Sequence, residues 1–281
     1  MEAKVHIVTD STAYLPEQWL QDNPHVHVVP LTVNCGGETM EDWVENNSRF
    51  KEALNRLSKR DAVPITSQPA PGRFLEVFRP LVEKGYEIVT ITICSRLSGT
   101  AQSALNAASI LGQDKITIVD SHTTAPGMRM LVEDAAAAAL EGRSREEISV
   151  MVEQKKHNME VFLVPPSLEY LHRGGRIGGA QALLGSLLNI KPVLYINDEG
   201  VVEVLDKVRT LKKALGRMAE VLPDNCSRAS VGHFLAEDTV EILRELVEAK
   251  LGKEVMVQEM GPVIATHAGP GVTGLFFEIP G

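Results

Sequence analysis

Apolar runs too continuous for a sheet with one wet face recur along the first half of the chain, and each stops at a short polar cluster. Val5-His6-Ile7-Val8-Thr9 ends in Asp10-Ser11-Thr12, Glu87–Cys94 ends in Ser95-Arg96-Leu97-Ser98, and Ile116–Val119 ends in Asp120-Ser121. Helix-like segments separate them. Pro16 opens a helix over Leu15–Asp22, a second runs from about Pro71 to Lys84 and closes at Gly85, and a third runs from about Ser98 to Leu111. An alanine-rich helix passes through Ala135–Leu140. Strands apolar on both faces, separated by helices, predict an α/β fold with a parallel sheet covered on both sides. Ligand groups are then expected on the loops that follow the strands' C-terminal ends, where the polar clusters lie.

Between these elements, Val26–Val33 reads as one further strand, and Ser48 as the N-cap of a helix over Phe50–Leu57. Past about Val161 the texture changes. Strands at Val193–Ile196 and Val201–Leu205 flank a hairpin turn at Asn197-Asp198-Glu199-Gly200, and Gly174–Gly179 reads as a glycine-rich helix start. Helices follow near Leu211–Val221 and Val240–Leu251, with strands at Ala229–Leu235 and Thr273–Ile279. A boundary near Glu160 divides an N-terminal α/β domain, residues 1–160, from a smaller α/β domain, residues 161–281.

Composition excludes several classes. Lys and Arg total 28 against 37 Asp and Glu, a net charge of −9 that argues against nucleic acid and against docking on anionic lipid. With 5% aromatic residues there are few platforms for stacking bases. No apolar run approaches the roughly 18 residues that cross a bilayer, so a cytoplasmic protein without stable membrane insertion is expected. Cys35, Cys94 and Cys226 are far apart and form no C-x-x-C pair, so neither disulfide nor zinc site is expected.

Four segments carry candidate chemistry. Thr66-Ser67-Gln68-Pro69 sets hydroxyls and an amide before a helix, where a plain N-cap competes with a ligand role. Ser95–Thr100 joins a strand to a helix whose free amides and dipole attract a carboxylate or phosphate. Ser98 with His267 as base and Asp10 or Asp120 as orienter would make a serine hydrolase or acyl transferase, but Arg96-Leu97-Ser98-Gly99-Thr100 lacks the first glycine of a nucleophile elbow. Arg173-Gly174-Gly175-Arg176-Ile177-Gly178-Gly179 matches no nucleotide-binding spacing, and a domain binding a phosphorylated metabolite remains a third reading. His25 and His27, two apart without carboxylate or cysteine company, read as a surface pair rather than a metal site. His267 lies in a small-residue loop before the final strand.

Taken in order, seven segments resemble the DegV family over nearly the whole chain, about residues 4–280. They are Val8-Thr9-Asp10-Ser11-Thr12, Thr66-Ser67-Gln68-Pro69, Leu97-Ser98-Gly99-Thr100-Ala101-Gln102-Ser103-Ala104, Val119-Asp120-Ser121, Leu168–Ile177, Leu188-Asn189-Ile190-Lys191-Pro192-Val193-Leu194 and His267-Ala268-Gly269-Pro270-Gly271. The resemblance implies a two-domain protein without catalytic residues, metal or cofactor, which buries a long-chain fatty acid between or beneath its domains. It implies that Thr66, Ser98, the amide of Gly99 and His267 hold the head group. It also implies a partner, a separate fatty acid kinase that makes acyl phosphate for phospholipid synthesis. Arg173 and Arg176, a basic spot in an acidic chain, are the expected docking surface for that partner. Arg96 stands where a small residue is frequent in the family and Ala101 where an aromatic is frequent, which changes the shape of the pocket mouth.

Overall fold

A computed structural model of the chain describes residues 3–57, 63–185 and 190–280. Leu188 and Asn189 of the sixth motif lie outside the described residues. The first half runs β1 (Val5–Asp10), α1 (Glu17–Asp22), β2 (Val26–Val29), β3 (Thr32–Cys35), β4 (Glu38–Glu41), α2 (Asn47–Arg56), β5 (Ile65–Ser67), α3 (Pro71–Glu83), β6 (Glu87–Thr92), α4 (Thr100–Leu111), β7 (Ile116–Asp120), α5 (Ala125–Leu140) and α6 (Arg145–Lys155). The second runs β8 (Met159–Val164), α7 (Glu169–Arg173), β9 (Lys191–Ile196), β10 (Val202–Val208), α8 (Leu211–Val221), β11 (Arg228–His233), α9 (Glu237–Leu251), β12 (Met256–Glu259), α10 (Pro262–Ala268) and β13 (Thr273–Glu278).

The fold is α/β, with a parallel sheet in the N-terminal part and a mixed sheet in the C-terminal part. The first sheet has the order β2-β1-β6-β7 and is parallel throughout. Its strands alternate between two helical layers, which is why they read as unbroken apolar runs. Ile7, Val89 and Ile91 pack with Met128, Leu131 and Ile148 of the α5 and α6 layer. Val8 and Ile88 pack with Phe74, Phe78 and Ala104 of the α3 and α4 layer. The second sheet has the order β10-β9-β8-β13-β11-β12, antiparallel except for β11 with β12. Phe162, Val164, Leu275 and Phe277 on one of its faces meet α8 and α9 through Leu215 and Leu243. The intervening residues Val161, Leu163 and Phe276 point the other way.

The Val26–Val33 run is not one strand. Pro30, without an N–H to give a ladder, separates β2 from β3. β3 pairs antiparallel with β4 and β5 in a small sheet of its own. The second helix starts at Asn47 with Asn46 at the cap position, so Ser48 is inside the first turn rather than capping it. The Gly174–Gly179 stretch first closes α7, which ends at Arg173, and a short 3-10 helix opens only at Gly178. His25 and His27 are not a surface pair. His25 is buried with Nε2 at 3.1 Å from the Ala136 carbonyl, and His27 Nε2 lies 2.8 Å from His6 Nδ1.

Candidate functional site

A cavity of about 150 Å³ lies between the inward face of the mixed sheet and the strand-end loops of the parallel sheet. Its walls are largely aliphatic, with Val161 and Leu163 from β8, Phe276 from β13 and Val263 and Ile264 from α10. Polar side chains gather at its mouth, where Thr66, Gln68, Ser98, Arg176 and His267 line it.

His267 occupies the last turn of α10 rather than the loop expected from its glycine-rich neighbourhood, and Nε2 lies 2.8 Å from Thr66 Oγ1 on β5. Burial, and then the nearby Arg176 charge, lower its pKa to about 4, so the ring is neutral at pH 7. Nδ1 is buried without a hydrogen-bond partner among the described residues, and a Cβ at Gly174 would overlap it. Glycine there is therefore a steric requirement for the imidazole. Ser98 Oγ lies 2.9 Å from Thr100 Oγ1. No side chain caps the start of α4, whose first amides lack intrahelical partners. A Cβ at Gly99 would overlap Gln68 Oε1, while Gln68 Nε2 donates to Ser103 Oγ at 2.9 Å.

The two arginines part company. Arg173 is exposed and pairs with Glu169. Arg176, against the expectation of a surface position, lines the cavity mouth, and its Nε donates to the Leu97 carbonyl at 2.9 Å. The glycines after α7 turn the chain back so that Arg176 N–H meets the Leu171 carbonyl, which aims the side chain inward.

Three carboxylates hold these loops. Asp10 accepts from the Ile93 amide at 2.7 Å and from the amide and hydroxyl of Thr12, and burial still raises its pKa to about 6. Asp120 accepts from the Ser95 amide at 3.0 Å. Asp42, which no motif singles out, accepts from the Val263 amide at 2.8 Å, from Ser11 Oγ at 3.0 Å and from Tyr14 OH at 3.4 Å. Burial raises its pKa to about 7. Asp42 thus ties the first turn of α10, and with it His267, to the β1 loop. Because Asp10 and Asp120 are engaged with backbone amides and His267 faces Thr66, the relay from Ser98 through His267 to a carboxylate does not form. No group of three or more His, Cys, Asp or Glu among the described residues is placed to hold a metal ion. No helix among them is long and apolar enough to cross a membrane.

Comparison with known proteins agrees with this architecture. The family profile described as "Uncharacterised protein, DegV family" matches residues 4–279. A DegV domain-containing protein of Listeria innocua is 35% identical over 286 residues, covering 99% of this chain and 100% of its own. The structure described as fatty acid binding of a DegV family protein from Thermus thermophilus superposes with a TM-score of 0.89 at 36% identity, covering 98% of this chain and 99% of that one. A stearic acid-binding protein from Eubacterium ventriosum superposes with a TM-score of 0.83 at 27% identity, covering 98% of both chains. With the profile spanning nearly its whole length and a relative at 35% identity matched from end to end, this chain belongs to the DegV family.

Proposed function

We propose that this protein binds a long-chain fatty acid, its acyl tail in the aliphatic cavity and its carboxylate at Thr66, Ser98, the Gly99 amide and His267. The observation that carries the reading is a neutral, half-buried His267 held against Thr66 at the polar mouth of an otherwise apolar cavity. The fatty-acid-binding neighbours from Thermus thermophilus and Eubacterium ventriosum support it. A carboxylate leaving water needs several donors, and two hydroxyls, an amide and an imidazole N–H provide them, with the Arg176 charge nearby. Burying about 15 methylenes at roughly 0.8 kcal/mol each contributes on the order of 12 kcal/mol before ordering costs, so the tail supplies affinity and the head group orientation. A cavity of about 150 Å³ is benzene-sized in other proteins. A long chain therefore enters by displacing the half-buried wall residues Leu97, Ile196 and Ile264.

In this reading residues 1–160 supply the strand-end loops of the head-group site and residues 161–281 much of the tail wall. The protein is a carrier without catalytic residues, and it presents the carboxylate to a separate fatty acid kinase for acyl-phosphate formation in phospholipid synthesis. Titration with palmitate and with methyl palmitate, read by displacement of a fluorescent fatty acid, tests the site. Tight binding of the acid and much weaker binding of the ester is the expected result. Equal binding of both would remove the carboxylate from the proposal.

A further inference from the structure

We infer that Phe276 sets the longest acyl chain this protein accepts, its ring forming the end wall at which the tail stops. The inference rests on the fatty acid reading above. Phe276 lines the cavity from β13 and is 3% exposed. The lining side chains divide by burial. Thr66, Ser98, Arg176 and His267 at the mouth are half-buried, whereas Phe276, Met260 and Val263 are buried. Val263, in the first turn of α10, shares an apolar cluster with Phe276 and Met260, while His267 lies in that helix's last turn. Helix α10 thus runs along the cavity wall from the Phe276 end to the head-group end.

The ring keeps its place because the sheet beneath it carries no side chains. Gly232 on β11 and Gly274 on β13 are paired in register, and Gly274 lines the cavity, so the sheet face there has a hollow at two neighbouring positions. Phe276, two residues along β13 and on the same face, lays its ring into that hollow. A Cβ built at Gly274 would stand 2.8 Å from the ring's Cε2. One at Gly232 would stand 3.1 Å from the same atom and 3.4 Å from Met260 Sδ and Pro126 Cγ. Neither glycine has a positive φ, so what a side chain would remove there is room for the ring and not a backbone conformation. With Met260, Pro126 and the sheet around it, the ring yields toward the cavity.

Each methylene that finds room raises affinity roughly fourfold, and one that does not must force packed walls apart. Affinity across a series of saturated acids, from laurate to behenate, should therefore climb with length to a limit and fall beyond it. The test uses the full chain, displacing a fluorescent fatty acid with each acid in turn. Phe276→Leu and Phe276→Ala should raise the limit in that order, the alanine by about two methylenes or more. Gly274→Ala, which pushes the ring into the cavity, should lower it, with about a tenfold loss for the longest acid the parent accepts. Gly274→Ala combined with Phe276→Leu should recover the lost length, which simple destabilisation would not give. A limit unmoved by both Phe276 variants, or a loss in Gly274→Ala that the double variant does not recover, would overturn the inference alone. If no acid of any length displaces the probe from the parent, the fatty acid reading falls with it.

Discussion

A hydrogen bond to a charged acceptor is worth about 1.5–3 kcal/mol, roughly twice a neutral one, so the hydroxyls at the cavity mouth are the most informative single atoms in this protein. Thr66→Ala and Ser98→Ala should each weaken fatty acid binding by about tenfold to a hundredfold without changing thermal stability greatly, since neither side chain is packed in the core. Unchanged affinity in both would show that the head group sits elsewhere. Gly174 gives a sharper test, because its Cβ would overlap His267 Nδ1 although the residue need not touch a ligand. Gly174→Ala should therefore cost binding, whereas Gly175→Ala, strained at φ 71° but facing open space, should cost stability and spare binding. Similar binding by the two variants would separate the imidazole from the site. Ser98 is a candidate from the sequence because it follows β6, where a parallel sheet exposes its amides, whereas Thr66 lies on β5 of the small antiparallel sheet and is a candidate only through its motif. The inward turn of Arg176 is not legible, since a glycine-flanked arginine has no local signal distinguishing an inward turn from a solvated one.

Helix α10 shows how an element depends on a distant carboxylate. Its seven residues are too few to hold a helix alone, and the Val263 amide at its start is fixed by Asp42, the residue just past β4. Asp42 titrates at about 7 instead of its usual 3.8 because burial opposes the charge. Between those values the folded protein holds a proton that the unfolded chain has released, so this contribution is complete below about pH 4 and lost as pH rises to about 7. At about 1.4 kcal/mol per pKa unit the loss is a few kcal/mol. Comparing melting temperatures of the parent and Asp42→Asn across this range should show the parent's advantage shrinking with rising pH and levelling above about 7. A difference that stays constant would mean that Asp42 is ionised in the folded protein throughout. Long, two-sided elements such as β1 and β6 were readable from composition alone. The short α10, β12 and the β3 to β5 sheet were not, because their stability comes from tertiary contacts rather than from periodicity. Helix α6 was readable in principle, since Ser144 and Glu147 form a capping box.

At the scale of the whole molecule, the cavity joins the two large sheets, so binding and delivery draw on residues from both ends of the chain. The separation of Arg173 from Arg176 distinguishes the two tasks. Arg173, exposed and held only by a surface pair with Glu169, is available to a partner, and charge at such a site governs encounter more than affinity. Arg173→Ala should keep bound lipid and lose acyl-phosphate formation with a cognate kinase and ATP, while Arg176→Ala should lose lipid. Normal phosphorylation by Arg173→Ala would sink the docking role. The claim beneath all of these is that the protein carries a fatty acid. Mass spectrometry of an organic-solvent extract of the purified protein tests it most directly. The account predicts close to one long-chain fatty acid per chain, reduced in Thr66→Ala and Ser98→Ala; an extract without fatty acid from protein that also fails to take up added palmitate would contradict it.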